Sequence, residues 1–274
     1  MIQKITVIKP IKGFQFRLID LWNYRELFLF FSFRDIKLRY RHFFIAFFWT
    51  TAPALLMSSV FNLSLGKVID VNPPHLPYLL FAYLGLIFWN LYSSIVFRSS
   101  GSLLNNQLLI TKTYFPRILL PLSTSVVCLV DFFLVFMVFI MILSFYHVAP
   151  SLISYLYLFP VVLITFIFGS GLGLFFSALN IKYKDIRELL PLLTSLLFFL
   201  TPVIYPVKLV AHFYYPLLYL NPMMGVIDTA RSVFFESERI NFLGLLISSA
   251  SAIVFFIIGV IYFKLIEKEL ADII

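Results

Sequence analysis

The segment FSFRDIKLRYRHFFIAFFWTTAP, residues 31–53, decides the fold class because it joins a basic stretch directly to an uncharged aromatic stretch. The basic stretch contains Arg34, Lys37, Arg39 and Arg41. Two interpretations fit such a junction. It is a nucleic-acid-binding patch beside an apolar core, or it is a membrane boundary with the cations in water and the aromatic side chains in lipid.

The overall composition favours the membrane boundary. Of the 274 residues, 61% are hydrophobic and 12% are charged, and the mean hydropathy is +0.98, whereas a soluble domain carries about 25% charged residues. A water-soluble fold of this size leaves too much surface exposed for so apolar a sequence. The net charge of +8 is clustered between long apolar runs. We therefore predict an integral membrane protein with no nucleic-acid partner.

Long apolar runs predict the membrane spans. Five runs reach the roughly 20 residues that a helix needs to cross the hydrocarbon core. A sixth run, of 16 residues, is short and ends near a break at Pro202 and Pro206. The six predicted spans cover about residues 43–65, 76–97, 118–145, 155–179, 189–204 and 242–263. Because these runs do not alternate between apolar and polar residues, the predicted fold is an all-α polytopic membrane protein.

The distribution of lysine and arginine predicts the orientation of the spans. Seventeen of the 21 such residues lie in residues 1–42, 98–117, 180–188 and 264–274, and the other four lie on the opposite side. Cytoplasmic loops carry the excess of these residues. We therefore predict a cytoplasmic N-terminal segment (1–42), a membrane domain (43–263) and a cytoplasmic tail (264–274).

The basic part of residues 31–53 has helical periodicity. Arg34, Lys37 and Arg41 recur at helical spacing, and apolar residues occupy the opposite face. Such an amphipathic interface helix lies along the inner leaflet before the chain turns into the first span. One interpretation is an anchor to anionic lipid. The other, a docking surface for a cytoplasmic partner, is favoured because nine cations precede the first span.

The placement of ionisable residues argues against an enzyme. The predicted spans contain one acid, Asp131, and no lysine, arginine or histidine, so they cannot hold a pair of catalytic groups. The four histidines are scattered and show no metal-ligand spacing. Gly66 and Lys67 lack the upstream glycine of a phosphate-binding loop, and Val68 follows them. We predict a protein that is not an enzyme and that holds no metal, cofactor or nucleotide itself.

Asp131 is unusual because a charge in the middle of a span costs about 2.5–3.5 kcal/mol on insertion scales. That cost predicts a partner, a water-filled cavity or a protonated carboxyl, with a role in a channel or gate. The alternative is a hydrogen bond to Asn90, or to a serine or threonine of a neighbouring helix, without a role in transport. The sequence leaves both interpretations open.

The fourth predicted span contains the run GSGLG, with Gly169 and Gly173 four residues apart. Small residues at this spacing let two helices approach closely. Packing within one subunit is the favoured interpretation. A contact between two copies of the chain and a flexible gate are the alternatives.

Residues 205–241, between the fifth and sixth predicted spans, do not resemble an ordinary loop. Asn221 and Pro222 suit the N-cap and the first position of a helix, and apolar residues recur after them at helical spacing. Together with residues 209–220, they predict two short helices, re-entrant or interfacial, in the outer leaflet. Backbone at that depth needs protein cover or water, so this segment is a candidate gate.

Several stretches, in order along nearly the whole chain, resemble one family. They are FRDIKLRYR (33–41), YFPRILLPLS (114–123), NIKYKDIRELLP (180–191), FLTPVIYP (199–206), NPMMGVIDTAR (221–231) and LIEKELADII (265–274). The family is that of ABC-2 type permeases that export lipid-linked polysaccharide, such as the Wzm-type O-antigen permeases and their capsule and teichoic-acid relatives. Each stretch alone is modest, and the set is specific.

The resemblance implies a permease subunit in the inner membrane of a bacterium, which forms a homodimer and binds two copies of a separate ABC ATPase. That ATPase would bind ATP and magnesium, and the substrate would be a lipid-linked glycan. The residues expected to couple the permease to the ATPase are charged, cytoplasmic and next to spans: Arg34, Asp35, Lys37, Arg39, Arg41, Lys182, Lys184, Asp185 and Arg187. The expected channel or gate residues are Asp131 and aromatic residues that could stack on sugar rings: Trp49, Trp89, Tyr205, Tyr214, Tyr215 and Tyr219.

Three other functions are open on the sequence. The spans alone do not distinguish glycan export from the export of drugs or other small lipophilic molecules. A membrane-embedded glycosyltransferase or acyltransferase would need several acids or a histidine in a cleft, and the spans do not supply them. A secondary transporter is disfavoured because a single intramembrane acid is weak evidence for proton coupling.

Overall fold

The computed structural model describes residues 22–69, 76–113, 115–183, 185–209, 215–235 and 240–267. Within these ranges the chain is helical and contains no strand, which confirms the predicted all-α membrane fold. The helices are α1 (Arg25–Arg39), α2 (Phe43–Leu65), α3 (Tyr78–Asn105), α4 (Gln107–Lys112), α5 (Leu119–Phe145), α6 (Leu152–Lys182), α7 (Ile186–Leu200), α8 (Tyr215–Tyr219), α9 (Pro222–Phe235) and α10 (Phe242–Glu267), with a 3₁₀ turn at Val207–Leu209.

Five helices of the described residues, namely α2, α3, α5, α6 and α10, are long and apolar enough to cross a membrane. They coincide with the first, second, third, fourth and sixth predicted spans. α7 coincides with the fifth, but its 15 residues make a helix of about 22 Å, shorter than the hydrocarbon core. The count of six spans therefore stays a prediction, since the irregular residues after α7 would have to complete the crossing.

α6 lies at the centre of the bundle and packs on α3 and α10. α3 also packs on α5 and α2, and it is the most buried of the five long helices. The main core contains large aromatic side chains, among them Tyr83, Phe88 and Phe139. α1 lies near the C-terminal end of α3, and α9 lies near its N-terminal end. These two ends of the bundle are called the α1 end and the α9 end below.

A second, smaller core lies at the α1 end. Phe31 of α1 packs there on Phe115, and their ring centroids are 5.5 Å apart. The backbone N–H of Arg117 donates to the carboxylate of Glu267, the last residue of α10, over 3.1 Å. Two of the stretches that resemble the permease family therefore meet in the folded chain.

α1 differs from the predicted surface helix in its contacts. α1 packs along the first half of α5. Phe31 contacts Phe115, just before the start of α5, and Tyr40 contacts Asp131, which is midway along α5. The chain turns at residues 40–42 and begins α2 at Phe43, as predicted. The position of α1 on a lipid surface stays a prediction.

Several helices continue past the ends of the predicted spans. α3 extends to Asn105, beyond the predicted end at residue 97, and it therefore contains Arg98. α6 extends to Lys182 and α10 to Glu267. The predicted spans themselves contain no lysine or arginine, and the cations of these helices lie in the turns that follow the spans. Helices of 26 to 31 residues exceed the roughly 20 that the hydrocarbon core requires, so their last turns extend beyond it.

Candidate functional site

At the α1 end, Asp131 of α5 is bound by three side chains from other parts of the chain. Arg39 donates from Nε to Oδ1 over 2.7 Å, and the Tyr40 hydroxyl donates to the same oxygen. Arg98 of α3 donates from Nη2 to Oδ2 over 3.0 Å. These four residues are called the Asp131 cluster. Through one carboxylate, the cluster joins α1, α3 and α5.

The Asp131 cluster lies where the C-terminal end of α1 meets the middle of α5. Arg98 follows Tyr78, the first residue of α3, by 20 positions, which is about 30 Å of helix and therefore about one hydrocarbon thickness. Arg39 and Tyr40 immediately precede the residues that lead into α2. Asp131 lies at the same height along the helix bundle as these residues, because its carboxylate is bonded to their side chains. Asp131 is midway along α5, as the sequence predicts, and its depth in a membrane stays a prediction.

The partners of Asp131 are two arginines and a tyrosine, not Asn90 or a serine or threonine. The carboxylate therefore has an arginine partner for each of its two oxygens, which is the partner that the sequence analysis requires. Burial, followed by the hydrogen bond to Asp131, raises the pKa of Tyr40 to about 12. The Tyr40 hydroxyl thus keeps its proton at neutral pH and remains a donor.

The other predicted coupling residues of α1 have different surroundings. Arg34 and Asp35 form an ion pair of 2.8 Å, and Arg34 also donates to Asn106, just after α3, over 3.2 Å. Lys37 and Arg41 are exposed. These two cations are therefore the predicted coupling residues of this segment whose side chains are best placed for direct contact with another protein.

The second predicted coupling group lies between α6 and α7. Lys182, Asp185 and Arg187 are exposed, and the Lys182 ammonium lies 6.0 Å from the centre of the Tyr183 ring. Lys184 lies outside the described residues. Within the described part of the chain, no hydrogen bond or ion pair joins this group to the Asp131 cluster. The structure therefore does not bring the two predicted coupling groups into one bonded network.

The glycines of the GSGLG run face two different helices. Gly169 and Gly173 face α3, where a Cβ on Gly173 would lie 2.6 Å from the side chain of Ser99. Gly171 faces α10, where a Cβ would lie 2.5 Å from the backbone of Phe256. The absence of side chains thus lets α6 approach α3 on one side and α10 on the other. Both contacts are within one chain.

At the α9 end, Arg231 is buried and binds main-chain carbonyl groups. Its Nη1 donates to Pro202 over 2.6 Å, and its Nη2 donates to Val203 over 2.5 Å and to Phe81 of α3 over 3.1 Å. The guanidinium also lies 3.5 Å from the centre of the Phe81 ring, where a cation is attracted to the ring face. We call this set of contacts the Arg231 clamp. It fixes the irregular segment after α7 to α3.

The helices of the predicted gate, α8 and α9, are both present. Pro222 begins α9, and the Asn221 side chain accepts a hydrogen bond from the Met223 N–H over 3.1 Å, as the predicted N-cap requires. The burial of α9 differs from the prediction of a single apolar face. Every side chain of α9 except that of Asp228 is buried, because α9 packs against α3, α6 and α10.

Arg98 and Arg231 are functional candidates that the sequence reasoning missed. The signal for Arg231 is a cation in a largely apolar helix, in a chain whose preceding segment contains Pro202 and Pro206. Prolines and a helix end leave carbonyl groups without backbone donors, and a buried guanidinium can bind several of them. The signal for Arg98 is weaker, because a cation just past an apolar run is normally expected in water.

The predicted channel aromatics occupy unlike positions. Trp49 of α2 is exposed, whereas Trp89 of α3 is buried against Phe198, with ring centroids 5.5 Å apart. Tyr219 is buried, and its hydroxyl donates to Asp228 over 2.8 Å. The remaining candidates are Tyr205 and Tyr215, which are half-buried, and Tyr214, which lies outside the described residues. The role of these residues in a channel stays a prediction.

Residues 26–235, from α1 to the end of α9, match the ABC-2 type transporter family. The match covers more than half of the chain. The chain belongs to the ABC-2 type transporter family. The matched range contains the residues of the Asp131 cluster and of the Arg231 clamp.

Relatives of this ABC-2 type transporter include two O-antigen export system permease proteins named RfbA. The one from Klebsiella pneumoniae is 28% identical over 242 residues, which are 88% of this chain and 92% of the relative. The one from Myxococcus xanthus is 31% identical over 220 residues, which are 79% of this chain and 83% of the relative. The polysialic acid transport protein KpsM of Escherichia coli is 24% identical over 206 residues, which are 72% of this chain and 77% of the relative.

Proposed function

We propose that this ABC-2 type transporter is the permease subunit of an ABC exporter that moves a lipid-linked polysaccharide, such as O antigen, capsule or teichoic acid, outward across the inner membrane of a bacterium. The observation that carries the proposal is the similarity to an O-antigen export permease over 88% of this chain and 92% of that protein. The similarity to a polysialic acid transport protein also supports a polysaccharide substrate. No relative among these supports export of small lipophilic molecules.

ATP hydrolysis belongs, in this proposal, to two copies of a separate ABC ATPase, which bind ATP and magnesium. The sequence contains no glycine-rich phosphate-binding loop, so the energy must come from a partner. The exposed cations Lys37 and Arg41 near the start of α2, with Lys182 and Arg187 near α7, offer positive surfaces to acidic groups of that partner. This assignment places the α1 end and both termini in the cytoplasm, in agreement with the bias of lysine and arginine.

A second copy of the chain completes the conduit in this proposal. The support is the large apolar surface that a single chain leaves uncovered on α2 and α7. Trp49 is 70% exposed on α2, and Leu196 and Phe199 are 55% and 66% exposed on α7. Two copies that meet along such surfaces would enclose a path that one bundle, with its packed core, does not provide.

A deletion strain tests the substrate. We expect loss of one surface polysaccharide and unchanged susceptibility to lipophilic drugs, with the polysaccharide restored by the wild-type gene on a plasmid. Surface glycan profiling and drug susceptibility are measured in the same strains. Unchanged surface glycans together with increased drug susceptibility would contradict the proposal and favour export of small lipophilic molecules.

A further inference from the structure

We propose that the Asp131 cluster is a rigid connection, called the joint below, that makes α1 move as one body with α3 and α5. A displacement of α1 would then reach these two spans. The inference rests on the proposed function in one respect, namely that the ATPase acts on the α1 end. Asp131 is then a positioning residue. It holds three helices together and needs no contact with the transported molecule.

The Asp131 cluster lies at the end of α1, where the chain turns towards α2. Arg39 is the last residue of α1, and Tyr40 is the first residue of the short turn that leads to α2. A turn of this length would allow α1 to swing relative to the membrane helices. The Asp131 carboxylate prevents that swing because it binds the residues on both sides of the end of α1. Its second oxygen binds Arg98 and so adds α3 to the same body.

The Asp131 cluster has two positive charges and one negative charge in a partly buried site. Arg39 and Arg98 are both bonded to one carboxylate, and the side chains of the two arginines are only 30% and 32% exposed, while that of Asp131 is 10% exposed. Attraction and repulsion are both stronger at such a site than in water. Removal of the carboxylate charge would therefore break two ion pairs and leave two cations facing each other.

A second line of contact keeps α1 against the same two helices. Arg34 donates to Asn106, just after α3, over 3.2 Å. Phe31 packs in the core at the α1 end, and α5 is the helix on which α1 packs most extensively. These contacts hold α1 along its length, and the Asp131 cluster fixes the end that is next to the membrane helices.

The chain contains a natural reporter for the joint. Cys128 is the one cysteine in the sequence, it is fully buried, and it lies three residues before Asp131 on the same face of α5. Its reaction with a small membrane-permeant maleimide requires a local opening. The labelling rate of Cys128 therefore measures how tightly α1, α3 and α5 are held, without any reference to the substrate.

The experiment compares Asp131→Asn, Asp131→Glu and Tyr40→Phe with the control Lys67→Gln in native membranes. We expect Asp131→Asn to raise the labelling rate of Cys128 by about tenfold or more, since hydrogen bonds to charged groups are lost. Tyr40→Phe keeps both ion pairs, so its effect should be smaller, and Asp131→Glu should retain part of the joint. Lys67 is exposed, lies beyond the end of α2 and is outside the cluster, so its substitution should leave the rate unchanged.

The second measurement is made on the permease purified together with its ATPase. We expect Asp131→Asn to keep the ATPase bound and hydrolysing ATP but to export several-fold less glycan per ATP, because movement of α1 no longer reaches α3 and α5. A general loss of folding would instead lower assembly and hydrolysis together. If Asp131→Asn does not accumulate, Tyr40→Phe takes its place in both measurements, with a smaller expected change in the same direction, and an unchanged labelling rate of Cys128 in Tyr40→Phe then overturns the joint.

Three outcomes decide between the ideas. An unchanged labelling rate in Asp131→Asn overturns the joint, whatever the substrate is. Loss of the ATPase from the purified complex, with unchanged labelling, also overturns it and makes the cluster a docking element. Intact surface glycan in the deletion strain overturns the proposed function instead, and the labelling result then still supports the joint as a link between the helices.

Discussion

Arg39 and Arg41 are two positions apart, and their side chains have opposite surroundings. Arg39 binds Asp131, whereas Arg41 is exposed. The same amino acid therefore has an internal role at one position and is free to contact a partner at the other. At the α9 end, the buried guanidinium of Arg231 likewise has an internal role, because it is held by main-chain carbonyl groups.

The Arg231 clamp predicts a large loss of stability on removal of its donors. Arg231→Met would leave several buried carbonyl oxygens without a partner, and we expect the free energy of unfolding to fall by at least about 3 kcal/mol. Thermal unfolding of the purified protein in detergent measures the change. Lys67→Met is the matched control, because Lys67 is exposed and its loss should change the stability by less than about 0.5 kcal/mol. Equal effects of the two substitutions would contradict the clamp.

Gly85 tests the same clamp from the side of α3. A Cβ at this position would lie 2.5 Å from the Val203 carbonyl oxygen and 2.6 Å from Nη2 of Arg231. We expect Gly85→Ala to destabilise the protein by about 1–3 kcal/mol, as overpacking does. Gly101→Ala in the same helix is the control, since its Cβ would meet only the Asn105 side chain at 3.5 Å. It should be neutral or stabilising, and a similar loss in both variants would refute the close approach at Gly85.

At the scale of whole helices, α1 has two faces with different surroundings. One face packs on α5 and ends in the Asp131 cluster. The opposite face carries Lys37 together with exposed apolar side chains such as Phe30 and Phe33. Such a mixed surface suits either lipid or a partner protein, and the two possibilities differ in what a reversal of charge would do.

Reversal of charge on the exposed face of α1 tests the docking of the ATPase. We expect the double variant Lys37→Glu, Arg41→Glu to reduce the amount of ATPase that copurifies with the permease by about tenfold, since opposite charges become like charges. Quantification of both subunits after affinity purification gives the result. The control Lys67→Glu changes a charge at the far end of α2 and should have no effect. An undiminished ATPase in the double variant would leave lipid anchoring as the task of this face.

The helices could be predicted from the sequence more fully than their ends or their contacts. Five long helices follow directly from apolar runs of lipid-crossing length, because a membrane forces the backbone to satisfy its own hydrogen bonds. The ends of α3 and α6 could not be predicted this way. A helix can continue beyond the membrane, and the end of the apolar run does not show where the helix itself ends. The partners of Asp131 lie 33 to 92 positions away in sequence, and such contacts leave no local pattern.

At the scale of the whole molecule, the described residues form a helical bundle of the ABC-2 type transporter family. Its charged contacts lie at the two ends of the bundle, where the Asp131 cluster joins α1 to two spans and the Arg231 clamp holds the segment after α7. A displacement applied at the α1 end would thus act on a packed body whose opposite end contains the candidate gate.

The most direct test of the export of polysaccharide is the location of the polymer in a strain that lacks this chain. Total and surface-exposed polysaccharide are measured separately, in intact and in permeabilised cells, with the complemented strain as the control. We predict that the polymer is still made but is retained inside the cell, and that the wild-type gene returns it to the surface. A normal amount of polymer at the surface of the deletion strain would contradict the account.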